Sequence, residues 1–223
     1  MPDSTSEDAM ADFILAGGKN FYTALLVYNA FPRAAEKLIS AFAWDIERAL
    51  AEEPAWKVVR NTLASSPTEQ FVELTWAPIE WEEFGWGISL SPQRGNARDF
   101  IFGIFAVTAG NKDADYLRDP GKYPAMSDAD RTRLGDAIAP LLNSTGDRDR
   151  VSPWWSRYTY LRTIKNWTDP TVLMKIACAN GVSAERDLVS GKPMDEFVID
   201  LFRAAKAAMT EVHGLRDIRP HSS

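Results

Sequence analysis

Cysteine and histidine are nearly absent from this chain: its 223 residues include one cysteine and two histidines. With Cys178 alone no intramolecular disulfide can form, which points to a reducing, cytoplasmic setting. A conventional structural zinc site needs four Cys or His ligands and is excluded. Serine and cysteine hydrolases need a histidine oriented by a carboxylate beside the nucleophile. Here His213 falls at the end of the last expected helix and His221 in the expected tail, neither a rigid setting for that chemistry. Cys178 sits in the apolar stretch VLMKIACAN, where a small core residue is the expected role of a free thiol. No GxxxxGK[ST] stretch occurs, and Gly103 followed by Gly110 makes no dinucleotide fingerprint, so no cofactor is called for.

Long apolar runs are missing as well. None approaches the ~18 residues of a membrane span. The opening MPDSTSEDAMAD is acidic and polar where a signal peptide is basic and then apolar. These absences predict a soluble cytoplasmic protein with no membrane partner. Negative charge is in excess, with a formal net charge of −6 that opposes general attraction to nucleic acid or anionic lipid. The excess is uneven: residues 1–145 carry a net −8 and residues 146–223 a net +2.

The patterning that is present predicts an α+β domain. Residues 1–12 read as an unfolded leader, residues 13–214 as a single domain and residues 215–223 as a disordered tail. Gly17 and Gly18 suggest a turn before a helix over 20–30, and Pro32 suits the first turn of a new helix. There Ala35, Leu38, Ile39, Phe42, Ile46, Ala49 and Leu50 recur at helical spacing. Four short runs rich in β-branched and aromatic residues follow, at 57–61, 71–76, 85–91 and 99–107. Their short connections predict an antiparallel sheet of about four strands within residues 56–107, packed with N-terminal and C-terminal helices. The last run, FIFGIFAV, is apolar on both faces and reads as a central strand. Ser127 with Asp130 predicts a capped helix through Leu134, Ala137, Ile138, Leu141 and Leu142. Asp169 and Pro170 predict another, stopping near Gly181. The closing stripe Phe197, Val198, Leu201, Phe202, Ala205, Ala208, Met209 and Val212 predicts a last helix with Gly214 as its C-cap.

Two stretches carry candidate chemistry. Glu80, Glu82 and Glu83 in PIEWEEF form the densest acidic group near a strand edge; if extended, Glu80 and Glu82 share a side and could serve a carboxylate-held magnesium ion. A solvated loop is the competing reading. The stretch DRDRVSPWWSRYTYLRTIKNW interleaves Arg148, Arg150, Arg157, Arg162 and Lys165 with Trp154, Trp155, Tyr158, Tyr160 and Trp167. Guanidinium groups beside aromatic faces hold phosphates and stack bases, and they also form hot spots of protein interfaces. The same residues admit a structural reading, in which Trp154, Trp155 and Trp167 anchor an irregular stretch onto the sheet and the arginines pair with the acidic excess.

The order SPWWSRYTYLRTIKNW, TDPTVLMKIA and DEFVIDLFRAAKAAM resembles the C-terminal accessory region of bacterial PD-(D/E)XK nuclease-superfamily proteins. In those, a strand-rich segment with a Trp-Gly pair precedes a Trp- and Tyr-rich stretch, a WDDP-like helix start and a closing helix. The corresponding residues are Trp86 with Gly87, then 154–160, then 167–170, and the resemblance spans 33–212. The nuclease signature itself, an Asp followed by an acidic-x-Lys on the next strand to hold metal and polarise water, has no counterpart in FVELTW or FIFGIF. The resemblance therefore implies an accessory module without cleavage, in a bacterial nuclease or defence setting. The expectation is a non-enzymatic binding or regulatory domain that contacts a protein or nucleic-acid partner through Arg148, Arg150, Trp154, Trp155, Arg157, Tyr158, Arg162, Lys165 and Trp167. A carboxylate-dependent metal enzyme and an acidic inhibitor that mimics nucleic acid are the alternatives.

Overall fold

The structure is a computed structural model of the chain, and it describes residues 4–108, 124–181, 188–212 and 214–220, with side chains from Glu7 onward. His213 and His221 lie outside the described residues. The chain divides into two compact units, Met1–Lys37 and Leu38–Ser223, where a single domain was expected.

In the first unit the stretch read as an unfolded leader is helical from Ser4: helix α1 spans Ser4–Leu15. Ala9, Met10 and Ala11 are good helix formers, and Glu7 in the first turn complements the helix dipole. A second helix, α2 (Gly18–Ala51), continues through Pro32 instead of restarting there. Proline inside a helix removes one backbone hydrogen bond and crowds the carbonyl four residues earlier, at about 3 kcal/mol. Helix-forming Ala34, Ala35, Glu36, Lys37 and Leu38 carry the helix onward at once.

The second unit is built on a five-stranded, wholly antiparallel sheet in the order β1-β2-β3-β4-β5. The strands are β1 (Trp56–Asn61), β2 (Leu74–Pro78), β3 (Gly87–Arg94), β4 (Arg98–Phe105) and β5 (Trp155–Tyr160). The first four are the runs anticipated from sequence. The fifth lies inside the arginine and tryptophan stretch that was read as irregular, and its position beside β4 makes β4 an interior strand as expected. A short helix α3 (Thr62–Ser65) follows β1, with the Asn61 side chain capping it through Ala64 N at 3.0 Å.

Cross-strand register assigns the faces. Trp76 pairs with Ile88, Ile88 with Ile104, and Leu90 with Phe102, so these side chains share one face. The helices cover it. In α6 (Met194–Thr210) Phe202 sets its ring edge-on against Trp76 and Phe102, at centroid separations of 6.3 and 5.3 Å. Within residues 38–51 of α2, Ile39, Phe42, Ile46 and Leu50 are wholly buried, and Phe42 meets Trp167 edge-on at 5.2 Å. Burying one such ring removes enough apolar surface to stabilise the fold by about 2–3 kcal/mol.

The local start signals operate as read. Helix α4 (Asp128–Thr145) is capped by Ser127, whose Oγ accepts from Asp130 N at 3.1 Å and donates to the Asp130 carboxylate at 2.7 Å. Helix α5 (Pro170–Ala179) is capped by Asp169 through Thr171 N at 2.9 Å, buries Val172, Leu173, Ile176 and Ala177, and ends before Gly181. The last helix differs at its end: Glu211 is its C-cap, and Gly214 instead opens a 3-10 turn over Leu215–Asp217. That turn lies in the stretch expected to be a disordered tail. Leu215 and Ile218 are buried and Pro220 bridges to Met126, so apolar side chains hold these residues down.

Candidate functional site

Strand β5 carries most of the residues singled out from sequence, so its surroundings decide what they can do. On one side it pairs with β4, Tyr160 opposite Ile101, Tyr158 opposite Gly103 and Arg157 opposite Ile104. Glycine at 103 is required by this approach, since a Cβ there would meet the Arg157 carbonyl oxygen at 2.1 Å and Tyr158 Cα at 2.6 Å. Gly135 of α4 plays the same part from the helical side, where a Cβ would meet Ser156 Oγ at 2.8 Å. The other edge of β5 is covered by residues 146–152. Arg150 N donates to the Tyr158 carbonyl at 2.8 Å, Tyr158 N to the Arg150 carbonyl at 2.9 Å, and Asp147 N to the Tyr160 carbonyl at 2.9 Å. A covered edge cannot accept a partner strand, which leaves side chains as the only recognition elements here.

Arg131, not anticipated from sequence, locks this arrangement. It is buried on α4, and its guanidinium donates to four carbonyls: those of Ala106 and Pro153 (3.4 Å) through Nη1, and those of Ser152 (2.7 Å) and Trp155 (3.1 Å) through Nη2. Burial draws its pKa down, opposed by the charge of Asp128. One signal could have found it: Arg131 precedes Leu134 by three residues and Ile138 by seven, which puts it on the buried stripe of α4.

The predicted site residues part company in the structure. Trp167 is wholly buried, stacked on Phe100 at 4.1 Å, and Trp155 is buried in a cluster with Ile101, Phe105 and Val107. Both are structural anchors. Arg157 is half-buried between two carboxylates, Asp149 and Asp136, each at 2.6 Å. The hydrogen bond from Arg157 is the main reason that the Asp149 carboxyl is held below the usual range. Arg162 faces Asp147 at 3.5 Å, and Lys165 faces Asp99 at 3.4 Å. To that extent the anchoring reading holds, with carboxylates of the chain itself absorbing three of the five cations.

What remains forms one patch. Trp154 is half-buried and lies parallel to Phe105 at 6.3 Å, with Tyr158 and Tyr160 packed against the same cluster and partly exposed. Register places both tyrosines on the sheet face opposite the helices. Burial is the main reason that the pKa of Tyr158 is raised above its ordinary value. Tyr160 has two cations over its ring, Arg150 at 5.1 Å and Lys165 at 5.7 Å. Arg148 is exposed, two residues before Arg150 in the covering segment. The same face continues inward through Gly103, Ser89 and Thr75, where Thr75 Oγ1 donates to Ser89 Oγ at 3.0 Å, to the buried pair of Arg60 with Glu73. Tyr160 stands outside the contact residues expected from sequence; its two-residue spacing from Tyr158 is the signal that marks it.

Glu80, Glu82 and Glu83 do not converge. Their stretch is a 3-10 helix over Ile79–Phe84 rather than extended chain; Trp81 and Phe84 point inward and the three carboxylates outward. Glu82 pairs with Lys57, and Glu80 faces Arg216 at 3.8 Å. Among the described residues no three His, Cys, Asp or Glu side chains are grouped to hold a metal ion. Cys178 is partly buried on α5. Among the described residues no helix is long and apolar enough to cross a membrane. Compared with protein-family models, with curated proteins and with solved structures, the chain matches none.

Proposed function

We propose that the chain is a non-enzymatic binding domain that contacts a protein partner through Trp154, Tyr158 and Tyr160, with Arg148, Arg150 and Lys165 as its basic rim. The observation that supports it most directly is that these aromatics sit partly exposed on, or directly before, a strand held on both edges, so that little backbone freedom is lost on binding. Tyrosine, tryptophan and arginine are the residue types that dominate interface hot spots. A protein is favoured over nucleic acid because Arg157 and Arg162 already face carboxylates of the chain and the net charge is −6. On this reading the partner belongs to a bacterial nuclease or defence assembly, in keeping with the resemblance in sequence order, and the domain regulates without cleaving.

Affinity capture from the native host at moderate salt tests the reading, comparing the wild type with an Arg148→Glu, Arg150→Glu variant. The expected result is a protein partner lost from the variant, with melting temperatures that agree within about 3 °C. Equal capture by both proteins overturns it, as does recovery only of nucleic acid that nuclease treatment removes.

A further inference from the structure

The first unit presents an apolar surface that its own two helices do not cover. Helix α1 and residues 18–37 of α2 form a hairpin, tied at the turn by Asn20 Nδ2 donating to the Phe13 carbonyl at 2.9 Å. Between them lies a groove of about 760 Å³ lined by Met10, Phe13, Val27 and Phe31 among others. Phe21, Tyr22, Leu25 and Leu26 do not line this groove; their spacing of one, four and five residues makes a second apolar ridge on another side of α2. Residues 20–32 contain no charged side chain at all. A helix that is apolar around its whole circumference needs neighbours on several sides, and a hairpin supplies one.

The exposure is large. Tyr28 is 76% exposed, Leu15 72%, Phe13 and Tyr22 62% each and Val27 61%, and Met10, Phe21, Leu25, Leu26 and Phe31 stand at 46–59%. At roughly 150–250 Å² for each large aromatic side chain and less for the aliphatic ones, these ten residues together offer on the order of 1,000 Å², divided between the groove side and the ridge, against the ~800 Å² per partner of a stable interface. The charges that flank this surface differ in sign between the helices: α1 carries Glu7, Asp8 and Asp12, while residues 18–37 of α2 carry Lys19, Arg33 and Lys37 against Glu36 alone. A second copy therefore brings the right complement, because α1 of one hairpin is acidic where α2 of the other is basic.

We propose that residues 4–37 are a self-association element, two hairpins from two copies packing groove to groove into a four-helix bundle. This surface is separate in sequence from the β5 patch and does not depend on that assignment. Sedimentation of the full chain over about 1–100 µM tests it, alongside a Val27→Glu, Phe31→Glu variant and a milder Val27→Ser, Phe31→Ser variant at the groove. The expected result is a dimer mass for the wild type. Dimerisation should weaken by about 100-fold or more for the glutamate pair and less for the serine pair, with the melting temperature of residues 38–223, followed by near-ultraviolet dichroism, retained. A wild type that stays monomeric throughout that range overturns the proposal, as does unchanged dimerisation in both variants. A monomer that instead sediments with phospholipid vesicles also overturns it.

Discussion

Residues 1–37 and 38–223 use apolar side chains in opposite ways. In the larger unit the indoles of Trp76, Trp81, Trp86 and Trp167 are wholly buried; in the smaller one Phe13, Tyr22 and Tyr28 are more than 60% exposed. Hydrophobicity does not separate them, since both stretches are rich in aromatics. The difference is the number of layers. A sheet with helices against it surrounds a large ring on every side, as Phe202 surrounds itself with Trp76 and Phe102, whereas a pair of helices has one shared seam. Apolar residues beyond that seam find no neighbour within the pair itself.

The contrast can be broken most forcefully in the larger unit. Phe202→Ala empties a space against two rings and is expected to destabilise by about 3–5 kcal/mol, read from the midpoint of urea unfolding. Arg131→Met keeps the volume but removes the donor from four carbonyls, and an effect of about 3 kcal/mol is expected by the same measurement. A result near zero would mean that those carbonyls find water instead.

A smaller, pH-dependent effect belongs to the β5 region. The Asp149 carboxyl is depressed in the folded state by its hydrogen bond from Arg157, so it favours folding fully above its ordinary value near 4 and loses that contribution as pH falls through the lower folded value. Asp149→Asn should flatten the decline of stability below about pH 4 while lowering stability at neutral pH. An unchanged acid profile would show that Arg157 relies on Asp136. The smallest effect is expected in the first unit, where Tyr28→Ser should shift the unfolding of residues 38–223 by less than about 0.5 kcal/mol, in contrast to any buried aromatic.

The parts of the molecule legible from sequence are those made by contacts a few residues apart. Ser127 and Asp169 cap the helices they were expected to cap, and the apolar stripes of α5 and α6 face inward, because capping and helical periodicity are local physics. Four strands announced themselves by composition and turns. Residue spacing could not show that the fifth strand would lie beside β4 with residues 146–152 along its other edge. That outcome depends on Gly103 and Gly135 clearing space for a segment distant in the chain. The same long-range packing turned Trp155, Trp167 and Arg157 from candidate binding residues into anchors and left Trp154, Tyr158 and Tyr160 at the surface. Continuation of α2 through Pro32 was missed for a related reason: a proline's local penalty is visible in sequence, and the sum of favourable turns on both sides of it is not.

Charge balance, the shortage of metal ligands and thiols, the helix starts and the α+β class follow from residue identities and near-neighbour spacing, since each rests on composition or on one turn of chain. Which aromatics are buried, which cations meet carboxylates and which edge of the sheet is closed emerged only on folding. Those outcomes are set by side chains as far apart as Glu53 and Lys206, 153 residues distant in the chain, competing for the same space and the same hydrogen bonds.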